Sequence, residues 1–464
     1  MNAPATSPNR ESLPRVLGVF DAVCLVVGSI IGSGVFLKAS VVAEVLNSFG
    51  AIIAVWFALG VITLCGSLAL AELAAMIPQA GGPYVYLSAA YGRLPAFLWG
   101  WTEFWVVRTG SLGALASATV IYLNAGLSTV YPLSRFEQAA LAVGLLVALT
   151  VVNWRSTRWG ASVQNFTVIV KLAFLGALIA LPFIFGKTDT ANLAPVWPEE
   201  VTSSFWRALG VAAIAVLWPY DGWINIAPVA EEIDRPQRNI PLALALGLTI
   251  IVLVYIAVNT VYHLVLPMDA VAASDAVASD VFTVVFGPWG AQAAAFGVMC
   301  STFGATQSNL LAGPRIYFAM ARDGLLPERL ADVHAKHKTP GNAIVAQSVW
   351  ASLLVLVAYA WKENPGDAFD ALTDFVIFGG SLFYALAVAA VFVLRWRRPE
   401  APRPYRTWGY PLTPALYLLA FAAALLSMLI DKWQQTAAGS VIILGGIAYY
   451  LVVTRWTPSR QESA

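Results

Sequence analysis

Apolar stretches of about twenty residues follow one another along almost the whole chain, and few folds accommodate that rhythm. A helix needs about 20 mostly apolar residues to cross the hydrocarbon of a bilayer. About twelve stretches qualify, at roughly 17–43, 50–77, 95–124, 137–153, 160–185, 205–230, 240–266, 288–320, 343–361, 370–394, 412–430 and 437–454. Proline-rich and polar clusters separate them, among them "MIPQAGGPY", "IDRPQRNIP" and "RWRRPEAPRPYRTWGYP". Composition agrees: 59% of the 464 residues are hydrophobic and 11% charged, against about 25% charged in a soluble domain. The expected class is an all-α, polytopic membrane protein. A formal net charge of +1 points to no nucleic acid partner. The first residues are polar and Pro-rich, so no cleavable secretory signal is expected.

Lys and Arg set the orientation. With the N-terminus in the cytoplasm, about nineteen of them fall at cytoplasmic segments and about six outside. Arg395, Arg397, Arg398, Arg403 and Arg406 weigh most, and "PMDAVAASDAVASD" has neither residue and belongs outside. An even number of spans puts both termini inside. Cys24, Cys65 and Cys300 all lie in apolar runs, so neither a disulfide nor a metal site is expected. His263, His334 and His337 are scattered, and the pair in "HAKH" reads as a solvated loop.

Two stretches interrupt the pattern. "VGSIIGSGVF", Val27 to Phe36, places three glycines and two serines inside the first span. Glycine costs roughly 1 kcal/mol against alanine in a helix. Such a run either lets helices pack closely, Gly28 and Gly32 being four apart, or marks a helix that stops and restarts. Unwound backbone at that depth must line a cavity or be buried in protein. The second stretch, "LWPYDGWIN", Leu217 to Asn225, decides for the break. Pro219 removes a backbone donor, Gly222 loosens the chain, and Asp221 is a carboxylate at membrane depth. Interrupted first and sixth spans are the mark of an inverted repeat of five plus five helices, with a site where the repeats meet. The expected organisation is a tail at 1–14, repeats at 15–185 and 203–395, two accessory helices at 411–454, and a tail at 455–464.

"GSIIGSGVF", "PQAGGPYVYL", "YDGW" with "VAEEIDRPQRNIPLAL", and "TFGATQSNLLAGPRIYFAMARDGLLP" together resemble the amino acid–polyamine–organocation superfamily. Within it the chain is most similar to bacterial relatives of the L-type amino acid transporters, over roughly residues 15 to 455. The resemblance implies a LeuT-like fold in a bacterial inner membrane. It implies an amino acid held between the broken spans, its carboxylate near Ser33 and Gly34, with Ile31 and Gly32 shaping the loop. The ammonium would face the carbonyls of Ile30, Trp218 and Asp221, beside Gly222. Trp218 matches an aromatic gate. Asp221 departs from relatives with glycine or isoleucine there, and either holds the unwound backbone or meets a cationic substrate group. Ile224 stands where some relatives carry a polar, substrate-contacting residue. Lys171 matches the lysine that sodium-independent members place where others bind sodium, bridging the first span near Gly32 and the eighth near Ser301. It also permits a proton to take part in the cycle.

Arg108 in the third span is expected to pair inside the bundle, with Glu72 or Glu103. Glu231 and Glu232 are expected to form weak, exposed gate pairs with cytoplasmic arginines. Ser111, Ile224, Phe303 and Phe378 are candidates for side-chain selection. The resulting function is a sodium-independent secondary transporter of amino acids, neutral ones first, by exchange or proton-coupled uptake. A cationic amino acid or polyamine carrier is the alternative, and a channel a remote one. The chain has no HExxH, GxSxG or P-loop motif, so neither an enzyme nor an ATP-driven pump is expected, and no cofactor. Animal L-type carriers attach to a glycoprotein subunit through a cysteine after the third span. "YLNAGLSTVYPLSRFEQ" has none, so no disulfide-linked subunit is expected.

Overall fold

The computed structural model describes residues 12–127, 131–198, 200–362, 364–431 and 433–456. Among the described residues the fold is helical, with one isolated parallel bridge between Leu17 and Ile233. The first span is two helices. α1 (Val19–Ile30) stops, and α2 (Gly34–Leu46) starts on an axis turned by 42°. α3 (Phe49–Met76), α4 (Pro83–Tyr91), α5 (Arg93–Thr102) and α6 (Arg108–Leu127) follow. A π-turn, Glu103–Val107, joins α5 to α6 as one long span. α7 (Arg135–Arg155) and α8 (Thr157–Ile184) complete the first half.

The sixth span is also broken. α9 (Ser203–Leu217) ends before Trp218, the chain turns through Pro219 and Gly222, and a 3-10 helix (Trp223–Glu232) continues. α10 (Pro236–Val265), α11 (Met268–Ala272), α12 (Val277–Phe286), α13 (Trp289–Ala312) and α14 (Pro314–Arg322) come next. α15 (Gly341–Trp361), α16 (Pro365–Arg397), α17 (Leu412–Asp431) and α18 (Trp433–Trp456) end the chain.

Every one of the expected stretches contains helix. Among the described residues 6 helices are long and apolar enough to cross a membrane, or 7 with the bent α1–α2 pair counted as one. The others fall short for visible reasons. α9 has 15 residues and ends at the break. α13 carries Ser301, Thr302, Thr306 and Gln307, all buried, so its polarity faces protein rather than lipid. Large apolar side chains such as Phe166, Ile184 and Leu253 remain exposed on the perimeter, as a lipid-facing surface requires.

α3 lies along α10 and α6 along α13, while α1 packs against α8 and α10 and α2 against α9. These contacts bring both broken spans to the middle of the bundle. Both readings of the opening glycine run hold, at different residues. A Cβ on Gly28 would come 2.7 Å from Val168 Cγ2 on α8, so this glycine serves close packing. The helix itself yields three residues later, between Ile30 and Gly34.

Candidate substrate site

The two breaks abut. A Cβ on Gly222, whose φ is +111°, would lie 2.6 Å from the Ser29 carbonyl oxygen. A Cβ on Gly34 would lie 2.8 Å from Pro219 Cα. Only glycine lets two backbones approach this closely. Beside the contact is a small, partly open cavity. Ile30, Gly32, Ser33, Gly34, Trp218, Asp221 and Gly222 line it, as does Ser111. Arg108, Asn225, Asn309 and Tyr384 add polar wall. The hydroxyls of Ser29 and Ser33 are buried with no protein partner.

Two expected residues turn their side chains away from the cavity. Ile31 and Ile224 are fully buried in the apolar core, and neither lines the cavity. Phe303 packs beside the cluster formed by α6, α7 and α15. The Phe378 side chain lies outside the described residues.

The carbonyls freed by the first break have definite partners. Lys171, 1% exposed on α8, donates from Nζ to Ile31 O at 2.6 Å and Gly28 O at 2.9 Å. Ser301 Oγ on α13 is 3.2 Å from Ile31 O and 2.9 Å from Gly32 O. Lys171 and Ser301 thus meet on one peptide oxygen, between α1, α8 and α13. Sequence reasoning missed Tyr255. Its hydroxyl lies 3.2 Å from Ile30 O and 2.9 Å from Pro219 O, one oxygen from each break. A phenol has one proton to donate, so it serves these acceptors in turn. Trp218 O is engaged by the Asp221 amide at 3.1 Å. The Asp221 carboxylate lies near the Gly222 amide and the Tyr384 hydroxyl, which favours the backbone-holding role.

Arg108 pairs with Glu103 and not with Glu72. Its Nε is 2.9 Å and its Nη2 2.8 Å from Glu103 Oε2, both side chains buried. Its Nη1 donates to Asn225 Oδ1 and, at 2.9 Å, to Asn309 Oδ1. Glu72 holds Arg395 at 2.9 and 2.6 Å and the Thr407 amide at 2.6 Å, tying α3 to α16 and the segment before α17.

The far end of the sixth span corrects another expectation. Glu232 and Arg315 form a two-pronged pair at 2.7 and 3.1 Å, and both side chains are 0% exposed. Arg315 also bonds Thr157 Oγ1 and Leu311 O. This is a buried, fully engaged pair, whose one-sided loss costs about 3–5 kcal/mol. Glu231 is partly buried. It takes Arg322 at 3.0 Å and the amides of Leu13 and Ala80 at 2.7 and 3.0 Å. The pairs are stronger than expected because the segment Leu13–Leu17 folds over them, bridging to Glu232 O and Asp234.

A many-spanning helical protein with two broken spans meeting at an internal cavity has the build of a membrane transporter, not of an enzyme. The family can be stated as well. An amino acid permease family model matches residues 17–453, and the chain belongs to that family. It is 31% identical to the serine/threonine exchanger SteT of Bacillus subtilis, across 95% of this chain and 97% of that one. It is 32% identical to the large neutral amino acids transporter small subunit 2 of Rattus norvegicus, across 97% and 84%. With the b(0,+)-type amino acid transporter 1 of Mus musculus the identity is 28%, across 97% and 90%.

Proposed function

We propose that the protein moves neutral amino acids across a bacterial inner membrane by alternating access, without sodium and by exchange. The observation that carries this reading is the contact of the two breaks beside one cavity. There the buried hydroxyls of Ser29 and Ser33 have no partner within the protein. A zwitterion offers both signs: its carboxylate suits the amides at the start of α2, its ammonium the carbonyls of Ile30, Trp218 and Asp221. Lys171 supports sodium independence, because its ammonium already sits on Ile31 O and Gly28 O, where a cation would bind. Relatives named as an exchanger and as neutral amino acid transporters favour exchange of neutral substrates.

In this reading residues 15–185 and 203–395 are the inverted repeats, and both termini are cytoplasmic. Trp218 gates the outer side of the cavity. The Glu232–Arg315 and Glu231–Arg322 pairs close the inner side and open in each cycle. No disulfide-linked subunit takes part. A second reading, a carrier of cationic amino acids, has Asp221 in the cavity wall in its favour. It is the weaker one, since the Gly222 amide and Tyr384 hydroxyl stand beside that carboxylate and compete for it.

Counterflow in proteoliposomes tests the proposal, with labelled neutral and cationic amino acids, with and without sodium and a pH gradient. The expected result is saturable exchange of neutral amino acids that neither sodium nor the gradient changes. Sodium-dependent uptake, or preference for lysine and arginine, would refute it.

A further inference from the structure

Among the cavity's polar groups, Asn225 has an amide whose orientation is forced and whose donor is left over. We infer that Asn225, held by Arg108, selects substrates whose side chain carries a hydrogen-bond acceptor close to the α-carbon, a hydroxyl above all. The inference rests on the reading of the cavity as an amino acid site and adds its side-chain preference.

A guanidinium can only donate, so the amide that meets it must turn its oxygen towards it. Arg108 Nη1 takes Asn225 Oδ1 and Asn309 Oδ1 together. Turning the Asn225 amide over would set donor against donor. Its Nδ2 is therefore fixed on the other side. Asn309 uses its own Nδ2 on Ala305 O, at 3.0 Å. Asn225 Nδ2 has no such bond among the described residues, yet Asn225 is 2% exposed and lines the cavity. That nitrogen opens on the cavity, so a substrate acceptor matches it, whereas an apolar group there would leave it unpaired.

The surroundings narrow the acceptor. The charge of Arg108 is matched by Glu103, so the wall offers no bare cation to an anionic side chain. Asp221, lining the same cavity, repels one. A hydroxyl suits both sides, since it accepts from Asn225 Nδ2 and donates to Asp221 or Ser111 oxygens. A methyl group of the same size does neither. Threonine and valine, equal in shape, are the discriminating pair.

The test is counterflow kinetics of threonine and valine on the full chain in proteoliposomes. The wild type is expected to favour threonine by about tenfold or more in kcat/KM, in line with sites built to hydrogen-bond a hydroxyl. Asn225→Leu removes the donor at similar volume and is expected to abolish that ratio. A wild type indifferent to the hydroxyl, or an Asn225→Leu protein that keeps the ratio, would overturn the inference. Should the variant not fold, melting of the wild type decides: threonine raises the midpoint at concentrations where valine does not, and equal shifts overturn the inference. A wild type that carries no amino acid at all defeats the transport reading instead.

Discussion

Gly222→Ala probes the contact on which the whole site depends. Two effects add. The φ of +111° is one that L side chains rarely adopt, and a left-handed alanine costs about 1–2 kcal/mol. The new methyl would also lie 2.6 Å from Ser29 O, 2.8 Å from Ser29 C and 3.2 Å from Ile30 N. All three are backbone atoms, so no side chain can swing aside. Forcing such a shift costs about 1–3 kcal/mol. The sum is about 2–5 kcal/mol. Two controls separate the effects. Gly92 has a φ of +95° with nothing within 4 Å of a Cβ, so Gly92→Ala carries strain alone, about 1–3 kcal/mol. Gly34 has no positive φ, but its Cβ would meet Pro219 Cα at 2.8 Å, so Gly34→Ala carries the clash alone, about 1–3 kcal/mol. The assay is denaturation in mixed micelles, with and without substrate. Gly222→Ala should be the least stable, and both site variants should lose stabilisation by substrate while Gly92→Ala keeps it. If Gly222→Ala is no worse than Gly92→Ala and still responds to substrate, the breaks do not abut and the site dissolves.

Two further outcomes follow from the charges inside the bundle. Lys171→Met strips Ile31 O and Gly28 O of a cationic donor worth about 1.5–3 kcal/mol per bond, so exchange in proteoliposomes should fall at least tenfold; a variant with normal exchange would contradict the role given to Lys171. Glu232→Gln leaves Arg315 buried against a neutral amide and should destabilise the protein by up to about 3–5 kcal/mol, while Glu232→Met with Arg315→Met should recover much of that; a thermal-melting cycle measures both, and additive losses would mean that the pair does not act as a unit.

Where the sequence was legible, the reason is that lipid makes certain residues expensive. Glycine, serine and proline inside apolar runs located both breaks, because freed peptide groups at that depth need protein partners. Lys171 stood out because an ammonium within an apolar run must find oxygens, and it found Ile31 O and Gly28 O. Tyr255 carried no such signal. A tyrosine in an apolar span is ordinary, and only its position opposite two freed carbonyls makes it part of the site.

The choice that spacing left open at Arg108 and the misplaced Ile224 share one cause, local departure from the α-helical period. Residues five apart do not share an α-helical face, so nothing in the spacing chose Glu103 over Glu72 for Arg108. The π-turn at Glu103–Val107 supplies the missing rotation, with the Arg108 amide bonding Glu103 O. The same holds at the second break. From Trp223 the chain winds as a 3-10 helix, with three residues per turn. That tighter winding turns Ile224 into the core and Asn225 to the cavity, where a 3.6-residue period gives no basis for the exchange. Both irregular turns sit on the cavity wall, and together they bring Arg108 and Asn225 into contact. Backbone that leaves the regular helix is therefore what builds this site twice over: it frees the peptide groups proposed to hold a zwitterion, and it aims the side chains proposed to meet what the zwitterion carries.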